Sequence, residues 1–323
     1  MAAIAVTGAT GFLGGVLARR LLALGQPVIV MGRNLEKLAA LEALGAAAVP
    51  GDLSVGAPVG DGVQADVLVH CAALSSAWGR TADFRAANIE GTRSAVLLAR
   101  SIGARRFVHI STPSLYFRFR EQPGMREDAD LPPPVNAYAA TKREAEQIVL
   151  AETNLDPIVL RPRGIYGAGD TALLPRLLRA ARIGPLPLIR GGRAETDLSH
   201  VDDVVAAILA AIAAAPGPAQ RIFNISGGEP LAIRHIAEAA ASRAGTKVRW
   251  RSIPAPLLIA AARAMETAAR LRPQQPEPRI TAYSAGLFAF TQTLDISAAR
   301  THLGWTPKIG FDEGLARTFG GAG

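Results

Sequence analysis

Tyr138 and Lys142 stand four residues apart in the stretch Ala137 to Thr153, which reads as a helix, so both side chains project from one face. A free phenol, with a pKa of about 10, is a poor acid or base at neutral pH. A neighbouring ammonium stabilises the phenolate and turns the pair into a proton donor, although a helix-surface pair is the plain alternative. Earlier in the chain, Phe107 to Ile110 runs into Ser111-Thr112-Pro113-Ser114, hydroxyls that stand where an open parallel sheet binds its ligands or that simply form a turn. Near the start stands Thr7-Gly8-Ala9-Thr10-Gly11-Phe12-Leu13-Gly14. Glycines at positions 8, 11 and 14 let the backbone turn tightly and approach a pyrophosphate at a helix N-terminus. With a strand before it and a helix after it, this loop is the dinucleotide-binding pattern, and Phe12 and Leu13 belong to it. A bound nicotinamide ring, when positively charged, would add to the stabilisation of a Tyr138 phenolate.

These residues need a scaffold that brings positions 8, 112 and 138 to one edge. Ala3 to Val6, Val28 to Met31, Ala46 to Val49, Val67 to His70, Phe107 to Ile110 and Ile158 to Leu160 read as buried parallel strands. Phe12 to Leu24, Leu35 to Leu44, Ala82 to Ile102 and Ala137 to Thr153 read as the helices between them. The expected fold is α/β, a doubly wound parallel sheet with a smaller C-terminal substrate-binding region. Residues 1–165 are expected to form the dinucleotide-binding domain and 166–323 mainly the substrate-binding region, with a strand near 221–225 rejoining the main sheet. The second strand ends at Met31-Gly32-Arg33, with no acid to take the ribose hydroxyls of NAD. Arg33 favours a 2′-phosphate, hence NADP(H), with NAD(H) left open and Asn34 or Lys37 able to share the role.

Taken together, these motifs resemble the extended short-chain dehydrogenase/reductases, the group of NAD-dependent epimerase/dehydratases and 3β-hydroxysteroid-dehydrogenase-like enzymes, built on the Rossmann fold. The resemblance extends to Gly51-Asp52-Leu53, His70-Cys71-Ala72-Ala73, Asn88-Ile89-Glu90-Gly91-Thr92, Arg161-Pro162-Arg163-Gly164-Ile165-Tyr166-Gly167 and His200-Val201-Asp202-Asp203. It implies Asp52 and Leu53 near the adenine, Ala72 and Ala73 along the cofactor, Thr112 as the catalytic hydroxyl, and Asn88 as a structural or proton-relay asparagine. Pro162 and Ile165 match positions beside the nicotinamide, and Lys142 would hold the ribose. Nucleotide-sugar members usually carry Arg before Asp in the Arg-Asp-x-x-His-Val segment; this chain has Thr196 before Asp197, with Arg193 three residues earlier.

The resulting expectation is an NAD(P)-dependent oxidoreductase moving hydride between nicotinamide and a hydrophobic ketone or secondary alcohol, 3-hydroxysteroid-like or 3-oxo acyl. A nucleotide-sugar epimerase/dehydratase with retained NAD is the alternative. Ser75, Ser114 and Arg163 are expected at the substrate, in a pocket lined by Leu115, Phe117, Phe119, Leu257, Leu258 and Ile259, although the helix around 254–271 could instead be core. With 49% apolar and 19% charged residues among 323, the chain is a folded globule, and one cysteine excludes an internal disulfide. The +8 net charge comes from scattered arginines with only 5% aromatics, which argues against nucleic acid. The histidines lack metal-ligand spacing, so no metal is expected. Neither a secretory leader nor a long apolar span is evident; a cytoplasmic protein without membrane insertion is expected, acting on a small molecule, with a homodimer left open.

Overall fold

The structure, a computed structural model, describes residues 3–57, 62–217 and 219–320. Seven strands form one parallel sheet: β1 (Ile4–Thr7), β2 (Val28–Gly32), β3 (Ala47–Pro50), β4 (Val67–His70), β5 (Arg106–Ile110), β6 (Pro157–Pro162) and β7 (Ile222–Ile225). Their spatial order is β7-β6-β5-β4-β1-β2-β3. The order reverses between β1 and β4, and a crevice opens there at the carboxyl ends of the strands, where doubly wound sheets bind ligands.

Alternation along each strand divides the core. Ile4, Val6, Val28, Val30, Val67 and Val69 face one side, against helix α1 (Phe12–Ala23) and helix α5 (Val201–Ala213). Ala5, Ile29, Met31, Leu68 and Phe107 face the other, against helix α3 and helix α4 (Ala137–Leu150). Helix α2 (Leu35–Glu42) covers β2 and β3. Helix α3 is continuous but irregular: α-helical over Thr81–Phe84, π-helical over Arg85–Glu90 and α-helical again over Gly91–Ser101.

The strand-like run near 221–225 does pair in parallel with β6 and closes the sheet edge. A second, four-stranded sheet joins Leu231–Ala232, Glu195–Thr196 and Gln292–Leu294 to Gln122–Met125. The Pro-rich connection after β5 is therefore partly a strand that ties the first half to the second. Helix α6 (Ala255–Arg270) packs along helix α7 (Ala282–Ala289) through Leu258, Ala262, Ala282 and Ala285. Among the described residues, no helix is long and apolar enough to cross a membrane.

Candidate active site

Three strand ends and one helix converge at the crevice. β5 ends at Ile110, and Thr112 caps the short 3-10 turn Pro113–Tyr116 by accepting the N–H of Ser114 at 3.2 Å. Capping holds the Thr112 hydroxyl in place instead of leaving it on a free loop. Thr112 Oγ1 also donates to Ser114 Oγ at 3.0 Å. Helix α4 starts at Asn136, whose side chain accepts from Ala139 N–H, and presents Tyr138 in its first turn. The Tyr138 hydroxyl is hydrogen-bonded to Ser75 and Thr112. The residues expected at 75, 112, 114 and 138 therefore meet.

Asn88 acts one layer below. It lies in the π-helical part of α3, the kind of irregularity that re-aims a side chain. Its Oδ1 accepts from Leu74 N at 2.8 Å, while Nδ2 donates to Leu74 O at 3.2 Å and to Thr141 Oγ1 at 3.0 Å. Asn88 thus ties the loop carrying Ser75 to the helix carrying Tyr138.

Tyr138 and Lys142 meet different neighbours. Burial pushes the Tyr138 hydroxyl above its ordinary value, and the groups that oppose this are Ser75 and then Thr112. Lys142 is buried, with Nζ 3.1 Å from His109 Nε2 and donating to Ile110 O at 2.7 Å. Burial lowers its pKa to about 8, offset in part by Glu146. His109 is pushed well below the usual range by burial and then by Lys142, so it is neutral and can accept from the ammonium. His70 stacks on His109 at 5.4 Å between ring centres and spans Thr7 Oγ1 and Thr92 Oγ1, at 2.8 and 3.2 Å. Two of the three Lys142 N–H bonds are spent, which leaves one for a ligand.

The glycine loop is built for close approach. Gly8 has φ +69, and a Cβ there would sit 2.6 Å from Ala72 N; one on Gly14 would sit 2.4 Å from Gly8 O. Gly11 precedes α1 with extended backbone and no side-chain cap, so the first N–H groups of the helix remain available to an anion. This cradle fits a dinucleotide pyrophosphate, with Phe12 and Leu13 starting the helix and Ala72 lying across from it. Arg33, 76% exposed at its side chain, stands 3.6 Å from Asp52, and Lys37 Nζ donates to Thr10 O. The Asp52 carboxyl is held below the usual range mainly by the Ser54 hydroxyl and less by Arg33. Leu53 turns into the core. Pro162 ends β6, and Ile165 follows in a two-residue strand paired with Ser199–His200.

Sequence reasoning missed Tyr283. It sits in α7, outside any motif, yet its hydroxyl lies 2.8 Å from Ser114 Oγ and its ring meets Phe117 edge-on at 4.9 Å. Of the expected pocket lining, Phe117 packs against Tyr283, Phe119 packs edge-on against Phe117, and Leu115 is buried. Leu257 instead faces solvent at 63% exposure, and Leu258 and Ile259 belong to the α6–α7 core, because α6 spends its apolar stripe on α7. Arg163 is buried beside Thr196 and Gln292, whereas Arg193 is exposed.

Comparison with known proteins agrees with this architecture. The family model described as NAD dependent epimerase/dehydratase matches residues 4–226. A 4-hydroxy-2-methyl-3-oxo-4-farnesyl-3,4-dihydroquinoline-1-oxide ketoreductase of Stigmatella aurantiaca is 35% identical, over 96% of this chain and 93% of that protein. A 2-alkyl-3-oxoalkanoate reductase of Stenotrophomonas maltophilia is 33% identical over 97% of both chains. The solved structure of MoeE5 in complex with UDP-glucuronic acid and NAD superposes with a TM-score of 0.73 at 25% identity, covering 98% of this chain and 97% of the other. With the strand order, the glycine cradle and the family match in agreement, the chain belongs to the NAD dependent epimerase/dehydratase family and is an NAD(P)-dependent enzyme of the extended short-chain dehydrogenase/reductase type.

Proposed function

We propose that this protein is an NADP(H)-preferring reductase of a hydrophobic ketone or 3-oxo acyl compound. The observation that carries the reading is the Tyr138 hydroxyl, kept protonated by burial and held between Ser75 and Thr112 at the sheet's carboxyl edge. When bound, the nicotinamide cofactor supplies the hydride that adds to the carbonyl carbon. As negative charge develops on the carbonyl oxygen, Tyr138 delivers its proton there, and the Thr112 hydroxyl, rotated away from Ser114 Oγ, donates its one hydrogen bond to the same oxygen. The phenolate left behind is stabilised by Ser75. Lys142, braced by His109 and the Ile110 carbonyl, offers its remaining N–H to the cofactor ribose. Arg33, with Lys37 nearby, is the group that would pair with a 2′-phosphate.

The names of the Stigmatella and Stenotrophomonas relatives, both reductases of oxo compounds, support the ketone reading. The likeness to MoeE5 favours a second reading, an epimerase or dehydratase of a nucleotide sugar that keeps its NAD. Against it, the position before Asp197 is Thr196, which accepts from Arg163, and Arg193 points outward. The test is a panel following NADPH oxidation with 3-oxo acids, steroid ketones, aromatic aldehydes and UDP- or dTDP-sugars, together with release and identification of any nucleotide that purifies with the protein. Turnover of oxo compounds with added NADPH is expected. Turnover confined to nucleotide sugars, with retained NAD, selects the second reading.

A further inference from the structure

Among the described residues, three arginines are less than a tenth exposed: Arg106, Arg161 and Arg163. Two of them meet a carboxylate directly. Arg106 pairs with Asp156, and Arg161 grips Glu146 through two hydrogen bonds of 2.8 and 2.6 Å. Arg163 does not. Its Nε donates to Thr196 Oγ1 and its Nη2 to Gln292 Oε1, each at 3.0 Å, and both acceptors are neutral. No carboxylate among the described residues lies within 4.0 Å of its guanidinium, although 16 other arginine–carboxylate contacts meet that distance. Asp197 is the acid whose field reaches it, and that carboxylate already takes the Leu294 N–H at 2.7 Å and a hydrogen bond from Ser226.

Burial lowers the pKa of Arg163, whereas for Arg161 the hydrogen bonds and charge of Glu146 outweigh burial and raise it. A guanidinium cannot shed its proton to escape a dry site, so a buried one needs a counter-charge. A second unspent donor stands in the same cluster: Gln292, whose oxygen serves Arg163, has its buried Nε2 without an acceptor. The cluster adjoins the candidate site: Arg163 follows β6 directly, and Tyr283, whose hydroxyl is 2.8 Å from Ser114 Oγ, acts electrostatically on Arg163.

We propose that Arg163 receives the carboxylate of the substrate, so that the enzyme takes ionised 3-oxo acids in preference to their esters or to neutral ketones. This rests on the reductase reading and narrows it. In a 3-oxo acid the carboxylate is separated from the ketone by a single carbon, so a cation that takes the carboxylate would fix which carbonyl is presented. The planar guanidinium fork, with Nη1 unassigned to any acceptor among the described residues, suits a carboxylate.

The test uses decanoate and methyl decanoate, which have the same chain and carry no ketone, titrated calorimetrically into the full-length protein with NADP⁺ present. Decanoate is expected to bind roughly tenfold or more tighter than the ester, and Arg163→Gln is expected to erase that preference while Arg163→Lys keeps part of it. Equal binding of acid and ester by the unaltered protein overturns the proposal, a result that needs no variant to fold. Retained preference in a folded Arg163→Gln protein, checked by its melting temperature, overturns it too, since the carboxylate would then sit elsewhere. Because neither probe is reducible, the result is independent of turnover: failure of the reductase reading appears only in the NADPH panel.

Discussion

Ser114 Oγ and the hydroxyl of Tyr283, 169 residues apart in sequence, lie 2.8 Å from each other at the mouth of the sheet. Ser114 also accepts from Thr112 at 3.0 Å, and Thr112 is bonded to Tyr138, so a row of hydroxyls leads from α7 to Tyr138. Tyr283→Phe keeps the ring against Phe117 and removes only the end of the row. Turnover should fall by roughly tenfold, the scale of one lost hydrogen bond of about 1.4 kcal/mol, with the melting temperature unchanged. Steady-state kinetics beside a thermal melt decide this; wild-type turnover in a folded variant removes Tyr283 from the site.

Tyr138→Phe deletes the hydroxyl proposed as the proton donor. The rate should drop by about 10²- to 10⁴-fold, the usual worth of a general acid. NADPH affinity, followed by nucleotide fluorescence, should stay nearly the same, because the glycine cradle and Lys142 are untouched. A variant that still turns over at a tenth of the normal rate would show that another group protonates the product.

The proposed preference for NADP(H) rests on Arg33, which is exposed and only loosely paired with Asp52 at 3.6 Å. Arg33→Ala is expected to weaken NADPH by roughly 10- to 100-fold and leave NADH nearly unaffected, since only the 2′-phosphate is lost as a partner. Equal losses for both cofactors would mean that Arg33 does not read the phosphate.

Buried bases give stability a defined pH dependence. Lys142 titrates near 8 in the folded protein against 10.5 ordinarily, so between those values the unfolded chain binds more protons and stability rises with pH. His70, lowered by burial to about 3 from 6.5, contributes stability that is lost as pH falls from 6.5 toward 3. Urea unfolding across pH should show both slopes in the ligand-free protein. Lys142→Met should flatten the upper one and His70→Gln the lower; unchanged slopes would place these groups in water.

Glu146 and Arg161 are both nearly inaccessible, and Arg161 also reaches the hydroxyl of Tyr116, which in turn bonds Asn224 on β7. Glu146→Gln leaves a buried guanidinium without its counter-charge and should cost about 3–5 kcal/mol of unfolding free energy, read from denaturant curves. A loss below about 1 kcal/mol would indicate that water or Asn224 takes over the pairing.

Much of the scaffold was legible in the chain because local rules agree with the global fold there. β-branched runs such as Val28-Ile29-Val30 fill both faces of a parallel sheet, and Asn34 and Asn136 mark helix starts by capping them. The glycine loop is legible too: Gly14 is crowded by Gly8 within the loop itself, whereas the close approach at Gly8 is to Ala72, remote in sequence. The meeting of residues 75, 112, 114 and 138 also followed from the strand order, which brings successive strand ends to one edge. What tertiary structure decided lies where long-range packing and burial outweigh spacing. The four-residue interval between Tyr138 and Lys142 puts them on one face of a helix but does not say that Lys142 turns to His109 on a neighbouring strand. Leu257 and Leu258 are adjacent leucines in an apolar stripe, and only the contact with α7 sends one into the core and the other to solvent. Tyr283 and Gln292 belong to no motif, and they come to the site because α7 and the strand Gln292–Leu294 close against the first half. Whether Arg163 has a counter-charge is likewise invisible in sequence, since it depends on which groups, remote along the chain, surround it once water is excluded.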